Sequence, residues 1–219
     1  MSSQGGHVPT SNAVIDLSHN NQSVDFNKAK AAGILGVVHK ATQGTGFVDP
    51  MYAKRRKAAA NAGLLWGAYH FGTGADPIAQ AQSFLKVASP TAKDILVLDF
   101  EPNTTPPRTS MTLVQARAFI GFVKNVTGVM PGLYGGAYLQ QQLGSASDSL
   151  LGACWLWWAQ YRKAPAIPPN WKAYTLWQYT DGHSGNPPYE VDGIGPCDRD
   201  LYQGTTDDLQ KKWVTGTLL

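Results

Sequence analysis

A chain of 219 residues suits one large domain or two small ones, and 43% hydrophobic residues are typical of a globular protein with a buried core. No apolar run approaches the ~20 residues that a membrane-spanning helix needs, so we expect no membrane insertion. The net charge is +3, and the one basic run, at 54–57, is expected on the solvated face of a helix. Proteins that bind nucleic acid usually have a denser stripe of positive charge, so nucleic acid is not an expected partner.

The first twelve residues, MSSQGGHVPTSN, are polar and lack the basic start and apolar stretch of a secretory signal. We expect residues 1–12 to be a disordered leader and residues 13–219 to form one domain, which we expect to be a monomer. Cys154 and Cys197 are too few for a disulfide scaffold and are predicted to be buried free thiols. Because the five histidines are scattered, neither a metal nor another cofactor is expected.

Short apolar runs alternate with helical stretches along most of the chain. The first run, AVIDL, is followed by a helix that Gly33 closes. Asp76 and Pro77 open another helix. Proline is favourable in the first turn because backbone N–H groups there have no partner within the helix, so its missing N–H costs no hydrogen bond. The predicted strands are 13–17, 35–41, 64–71, 95–100, 132–134, 154–159, 173–179 and 198–202, and the predicted helices are 24–32, 49–62, 76–87, 109–127 and 137–143.

This repeated order of strand, helix and strand predicts an α/β fold: a parallel sheet closed into a (β/α)8 TIM-barrel-like single domain. The runs LGVV and ILVL are apolar without alternation, as in strands buried on both faces. Fewer helical stretches follow in the second half, so we expect shortened or missing helices there. A doubly wound open sheet is the alternative, but it needs a glycine loop after the first strand, and DLSHN at 16–20 contains no glycine.

Acidic residues accompany three of the predicted strands: Asp16 the first, Asp99 and Glu101 the fourth, and Asp198 and Asp200 the last. In a barrel, active sites are built at the rim where the strands end. Asp99 and Glu101 share a face because side chains alternate, ~6–7 Å apart along the strand. Mutual repulsion would keep one carboxyl protonated near neutral pH as a general acid. Solvated strand ends are the alternative, but three acidic strands in one barrel favour a catalytic site.

Aromatic residues in or just after the strands favour a sugar site, because aromatic rings stack on the apolar faces of sugars. About half of them should belong to the barrel core, since alternate residues of a strand face the helices. The sequence has no nucleophile elbow, no Walker loop and no dinucleotide-binding fingerprint. The aromatic residues concerned are Tyr69, Phe71, Tyr134, Tyr138, Trp155, Trp157, Trp158, Tyr161, Trp177 and Tyr179.

Eight motifs in chain order resemble the glycoside hydrolase family 25 lysozymes, the Chalaropsis type. They are AVIDLSHNN, VVHKATQGTGFVDPMY, AGLLWGAYHF, LVLDFE, LYGG, LWWAQY, LWQYTDG and CDRDLYQG, and they cover nearly all of residues 13–204. The ordered set is far more specific than any one motif. The resemblance implies a (β/α)8-like barrel with an acidic groove and N-acetylmuramidase activity on bacterial peptidoglycan.

By motif position, the resemblance implies that Glu101 is the catalytic acid and that Asp99 assists it, with Asp16 and Asp198 completing the acidic cluster. Because Asp99 and Glu101 leave one strand in the same direction, Asp99 is poorly placed as a nucleophile, and we predict a substrate-assisted retaining mechanism. The residues implied to line the groove and bind substrate are Tyr69, Tyr134, Trp157 and Gln178.

The sequence departs from the family pattern at two positions. Asp200 stands where asparagine is usual, and we expect Asp198 rather than Asp200 to face the groove. Trp158 stands where an aliphatic residue is usual, so we expect a bulkier wall there.

Two other functions fit parts of the pattern. A chitinase-like N-acetylhexosaminidase also uses paired acids at a strand end, whereas a non-catalytic cell-wall-binding module is disfavoured by the intact set of four acids. The resemblance implies action on the bacterial cell wall, in the periplasm or outside the cell. With no visible export signal, release by phage lysis and delivery by a specialised secretion system both fit the sequence.

Overall fold

A computed structural model describes residues 8–219 and contains a closed barrel of eight strands. In chain order the strands are β1 Ser11–Leu17, β2 Gly36–Gln43, β3 Phe47–Val48, β4 Leu65–Phe71, β5 Ile95–Asp99, β6 Gly132–Gly135, β7 Leu156–Ala159, β8 Leu176–Thr180, β9 Glu190–Val191, β10 Gly195–Pro196 and β11 Asp198–Tyr202. The barrel order is β1-β11-β8-β7-β6-β5-β4-β2, and pairing of β2 with β1 closes the ring, which excludes an open doubly wound sheet. β3 forms a hairpin with β2, and β9 and β10 form a separate ribbon.

The barrel strands are parallel except for β11, which lies antiparallel to both β1 and β8. The predicted barrel-like α/β domain is confirmed, but the prediction that all its strands are parallel is wrong at this one strand. The physical reason is the connection from β8: residues 181–197 form the β9–β10 ribbon and contain no helix to carry the chain back to the opposite end. The start of β11 therefore lies at the rim, the edge where the parallel strands end.

The residues described contain six α-helices, which pack outside the barrel or across its end: α1 Phe26–Ala31, α2 Tyr52–Asn61, α3 Pro77–Ala88, α4 Leu113–Thr127, α5 Ala137–Leu143 and α6 Thr206–Trp213. Asp76 caps α3, with Pro77 in its first turn. Thr112 and Gln115 form a reciprocal capping box on α4, and Gly128 ends that helix in the left-handed conformation. Between β6 and β11 the only α-helix of the described residues is α5, with seven residues, which confirms the expected loss of helix in the second half.

Buried apolar side chains form an outer cluster between strands and helices and an inner cluster inside the barrel. Trp213 from α6 belongs to the inner cluster and fills the end at which the parallel strands begin. Its indole N–H donates to the carbonyl oxygen of Trp66 at 2.9 Å, and a Cβ on Gly36 would lie 2.6 Å from its ring. A glycine at position 36 is therefore needed for the close approach of α6.

The first strand begins earlier than predicted. Ser11 is part of β1 and pairs with Tyr202, so this strand starts two residues before the predicted strand 13–17. Residues 1–7 of the predicted leader lie outside the described residues. Within residues 8–219, no helix is long and apolar enough to cross a membrane.

Cys154 and Cys197 are buried free thiols, as predicted. One residue of the basic run differs from its expected place on a solvated face. Arg55 is buried, and its guanidinium donates to the carbonyl oxygens of Ser18 and Asn21. This arginine therefore ties α2 to the loop after β1.

Candidate active site

An acidic cavity of about 250 Å³ opens at the rim. It brings together all eight site residues predicted from the sequence, and it adds Tyr161, which follows β7. Seven of the eight barrel strands, all except β2, contribute side chains directly or from the residues that follow them. The lining residues are Asp16, Tyr69, Asp99, Glu101, Tyr134, Trp157, Tyr161, Gln178 and Asp198.

Asp99 and Glu101 lie on one side of this cavity. Asp99 ends β5 and is only 5% exposed, Glu101 is partly exposed, and Phe100 between them points into the outer core. Burial raises the pKa of both carboxyls, and repulsion from Glu101 raises that of Asp99 further. The pair therefore holds a proton at pH values where free carboxyls are ionised. Asp99 Oδ1 is buried and accepts no hydrogen bond from residues 8–219.

Asp16 and Asp198 face each other directly in the antiparallel pair of β1 and β11. Burial, followed by repulsion from Asp198 and Asp200, holds the pKa of Asp16 well above its ordinary value. Burial and the nearby Asp181 raise the pKa of Asp198 to about 7. Asp16 and Asp198 thus form a second close pair of carboxyls with raised pKa values in the cavity. The antiparallel direction of β11 is what brings Asp198, at the start of its strand, to the rim.

Asp200 lies deeper in the barrel than Asp198 and is not part of the cavity lining. It is completely buried, and its Oδ1 accepts a 2.6 Å hydrogen bond from the indole N–H of Trp157. Burial raises the pKa of Asp200 well above its ordinary value. Asp198 is thus the carboxyl of this pair that faces the cavity, in the orientation expected from motif position.

Gln178 connects the two sides of the cavity and is only 3% exposed. Its Oε1 accepts hydrogen bonds of 2.8 Å from the hydroxyls of Tyr134 and Tyr161, and its Nε2 donates to Asp16 Oδ2 at 2.7 Å. Gln178, predicted to bind substrate, therefore also orients Tyr134, Tyr161 and Asp16. Tyr161 was not predicted as a site residue, although its place just after LWWAQ was the available signal.

The two adjacent tryptophans of β7 face opposite ways. Trp157 lines the cavity with its ring 4.6 Å from that of Tyr134, in an edge-on arrangement. Trp158 is fully buried in the outer core, so the expected bulkier groove wall at this position is wrong. The reason is strand alternation, which sends successive side chains to opposite faces.

Two larger cavities are built from loops at the rim. One of about 480 Å³ shares Asp198 with the acidic cavity and is built from the loops after β1 and β8. The other, of about 590 Å³, is built from the loops after β2, β4 and β5 and is lined in part by Asn103 and Phe47. The acidic cavity is therefore continuous, through Asp198, with the cavity of about 480 Å³. Residues 8–219 contain no cluster of three or more His, Cys, Asp or Glu side chains that could hold a metal ion.

The family model described as Glycosyl hydrolases family 25 matches residues 15–186. The chain belongs to this family and is a glycosidase. Both the family resemblance read from the motifs and the class of enzyme predicted from them are confirmed.

Similar proteins include named lysozymes and muramidases, which agrees with the predicted lysozyme function. Lysozyme M1 of Streptomyces globisporus is 28% identical over 213 residues, which are 89% of this chain and 69% of the relative. The N,O-diacetylmuramidase of Chalaropsis sp is 29% identical over 188 residues, 77% of this chain and 88% of the relative. The solved bacterial lysozyme from Streptomyces coelicolor has a TM-score of 0.80 at 25% identity, covering 97% of this chain and 100% of that chain.

Proposed function

We propose that this protein is a lysozyme that hydrolyses the β-1,4 bond between N-acetylmuramic acid and N-acetylglucosamine in peptidoglycan, with Glu101 as the general acid. One observation carries the assignment of Glu101: it is the carboxyl of the Asp99–Glu101 pair that is partly exposed, whereas Asp99 is almost completely buried. A glycosidic oxygen in the cavity can therefore reach Glu101. Burial raises the pKa of Glu101, which favours the protonated form that a general acid needs.

Asp99 is proposed to assist through the substrate rather than to attack it. Asp99 and Glu101 leave β5 in the same direction, whereas a protein nucleophile and an acid must approach the scissile bond from opposite sides. Asp99 lines the cavity, so its carboxylate is placed to accept a hydrogen bond from the 2-acetamido N–H of the sugar. The acetamido oxygen then attacks the anomeric carbon as the glycosidic bond breaks and Glu101 gives its proton to the leaving oxygen, and Asp99 stabilises the positive charge of the cyclic intermediate. Water next attacks the anomeric carbon, the bond to the acetamido oxygen breaks, and Glu101 takes up the proton of the water.

Substrate binding would also decide which carboxyl carries the proton. In the empty cavity, burial and repulsion from Glu101 favour a proton on Asp99. A hydrogen bond donated by the acetamido N–H favours the ionised form of Asp99, because it is made to the charged oxygen. The proton of the pair then belongs to Glu101, which is the state that general acid catalysis requires.

The remaining acids and aromatic residues are proposed to orient the sugar and set the charge of the cavity. Asp16 and Asp198 lie on the side opposite to β5 and face each other across β1 and β11. Tyr69 and Tyr134 offer ring faces and hydroxyls at the cavity wall. Trp157 and Gln178 are proposed to act mainly by fixing their neighbours, because their polar atoms already bond to Asp200, Asp16 and two tyrosines.

The test is Glu101→Gln, which preserves shape and removes the proton donor. General acid catalysis contributes ~10²–10⁴-fold, so release of reducing ends from purified peptidoglycan should fall by at least about 100-fold. Glu190→Gln is the matched control, because Glu190 is the only other glutamate of the sequence and is exposed. A loss of activity of about threefold or less would be far smaller than the contribution of a general acid. In that case Glu101 is not the acid.

Mass spectrometry of the products tests the bond that is cut. Reducing ends at muramic acid support the muramidase, reducing ends at glucosamine indicate a chitinase-like specificity, and no products at all indicate a wall-binding module. Glycan whose muramic acid lacks the N-acetyl group tests the mechanism. Efficient cleavage of that glycan at the same bond, or a first product of inverted anomeric configuration by NMR, contradicts substrate assistance.

The place of action follows from the substrate: the wall lies in the periplasm or outside the cell. We propose that the protein acts there as a monomer and needs no metal, other cofactor or nucleic acid. We also propose that it reaches the wall through phage lysis or a specialised secretion system. Light scattering tests the monomer. Detection of the protein outside intact producing cells favours secretion, and its appearance only with lysis favours the phage route.

A further inference from the structure

One barrel strand, β2, contributes no side chain to the lining of the acidic cavity. Lys40 lies on the inward face of this strand, two residues after Val38, which packs inside the barrel. Lys40 pairs in register with Tyr69, a residue of the cavity wall. The rim thus holds a single lysine beside a ring that otherwise consists of acids, aromatic residues and one amide.

The ammonium group of Lys40 is held in place by three neighbours. It donates to Gln43 Oε1 at 2.6 Å and lies 4.9 Å from the ring centre of Phe71 and 5.6 Å from that of Phe47. Phe71 is the register partner of Asp99 on the adjacent strand β5. Within residues 8–219 the ammonium makes no ion pair, so no single carboxylate neutralises its charge.

We propose that Lys40 is a positioning residue for the glycosidase reaction: fixed by Gln43, Phe71 and Phe47, its positive charge favours the ionised form of Asp99 over that of Glu101, so that Glu101 carries the proton once substrate is bound. This inference rests on the roles proposed above for Asp99 and Glu101. Lys40 does not line the cavity, so it acts on the substrate only through these carboxyls. Because no carboxylate is paired with Lys40, its positive charge is not offset by a neighbouring negative charge before it acts on Asp99.

The charges around the pair agree in direction with this role. The positive charge of Lys40 lowers the pKa of Asp99 and of Glu101, although burial raises both pKa values by more. Among the acids near Lys40, Asp99 raises the pKa of Lys40 most. Burial lowers the pKa of Lys40, opposed in turn by Asp99, Asp49 and Glu101. The other titratable groups that face the pair or Lys40 are Asp16, Tyr69, Tyr134, Tyr161 and Asp198.

The experiment is the pH profile of kcat/KM on soluble peptidoglycan fragments for Lys40→Met and Lys40→Gln. Loss of the positive charge raises the pKa of Asp99 and Glu101, so the profile should move to higher pH. Activity on the acidic side should fall roughly 10-fold relative to activity on the alkaline side. Lys40→Arg should keep the original profile, as should Lys54→Met, a control on the exposed face of α2. A purely structural role would lower activity at every pH without moving the profile.

Glu101→Gln measured in parallel separates the two proposals. If Glu101→Gln is inactive and both neutral variants of Lys40 keep the original profile, the role of Lys40 is wrong and that of Glu101 stands. If Glu101→Gln is active, the proposed acid is wrong. Carbon-13 NMR titration of the Asp99 carboxyl gives a readout that needs no turnover. An upward shift of its midpoint in Lys40→Met supports the proposal, and an unchanged midpoint contradicts it.

Discussion

Replacing Gln178 by leucine removes three buried hydrogen bonds from the wall of the acidic cavity while nearly preserving side-chain volume. The bonds join Gln178 to Asp16 at 2.7 Å and to the hydroxyls of Tyr134 and Tyr161 at 2.8 Å each. A bond to a carboxylate contributes about 2 kcal/mol and each neutral bond about 1 kcal/mol, a total of about 4 kcal/mol. A buried leucine returns about 1 kcal/mol, so the free energy of unfolding should fall by about 3 kcal/mol.

The assay is urea unfolding followed by tryptophan fluorescence, together with thermal unfolding. A loss of this size lowers Tm by about 10 °C in a chain of this length. Gln141→Leu is the matched control, because Gln141 is exposed on α5 and should change stability by less than about 0.5 kcal/mol. If Gln178→Leu unfolds at the same urea concentration as Gln141→Leu, the three hydrogen bonds do not stabilise the barrel as argued.

Two further outcomes follow from buried titratable groups. Asp198 has its pKa raised to about 7 from an ordinary value of 3.8, so between these pH values the folded protein holds a proton that the unfolded chain has lost, and stability falls as pH rises. Asp198→Asn should flatten this part of the stability profile, and an unchanged slope in urea unfolding contradicts the assignment. Burial raises the pKa of Cys154 and Cys197 to about 12, so both thiols should resist a thiol reagent in the folded protein at about pH 8. Both should react after denaturation without a reductant; failure to titrate either thiol would show a disulfide.

The barrel and its acidic rim could be predicted because their signals are local. Apolar runs such as ILVL identify buried strands, and Asp16 and the Asp99–Glu101 pair stand at the ends of strands that the structure does place in the sheet. Strand direction is different, because no local pattern encodes it. Three of the five residues of β11, DRDLY, are charged, but charge does not encode direction; the absence of a crossover helix before this strand determines that it returns antiparallel.

Contacts between distant residues account for the rest. Gln178 meets Asp16 across 162 positions of sequence, so its use as a hydrogen-bonding centre was not visible from its motif. Lys40 stands in a motif that was recognised, yet its nearness to Asp99 depends on the register of β2, β4 and β5. The inward direction of Trp157 and the outward direction of Trp158 follow from strand phase, which adjacent tryptophans alone leave ambiguous.

Helix α6 covers one end of the barrel, and the acidic cavity opens at the other end. Trp213 and Leu218 are buried in the inner cluster, and Gly216 packs close to the carbonyl of Ala92, just before β5 begins. The last residues of the chain therefore run along the face opposite to the acidic carboxyls. A fluorescent label or surface anchor attached after Leu219 would leave the mouth of the cavity open toward an insoluble polymer. Immobilising the protein by this end should thus preserve its access to a solid substrate, whereas attachment through the rim loops would obstruct it.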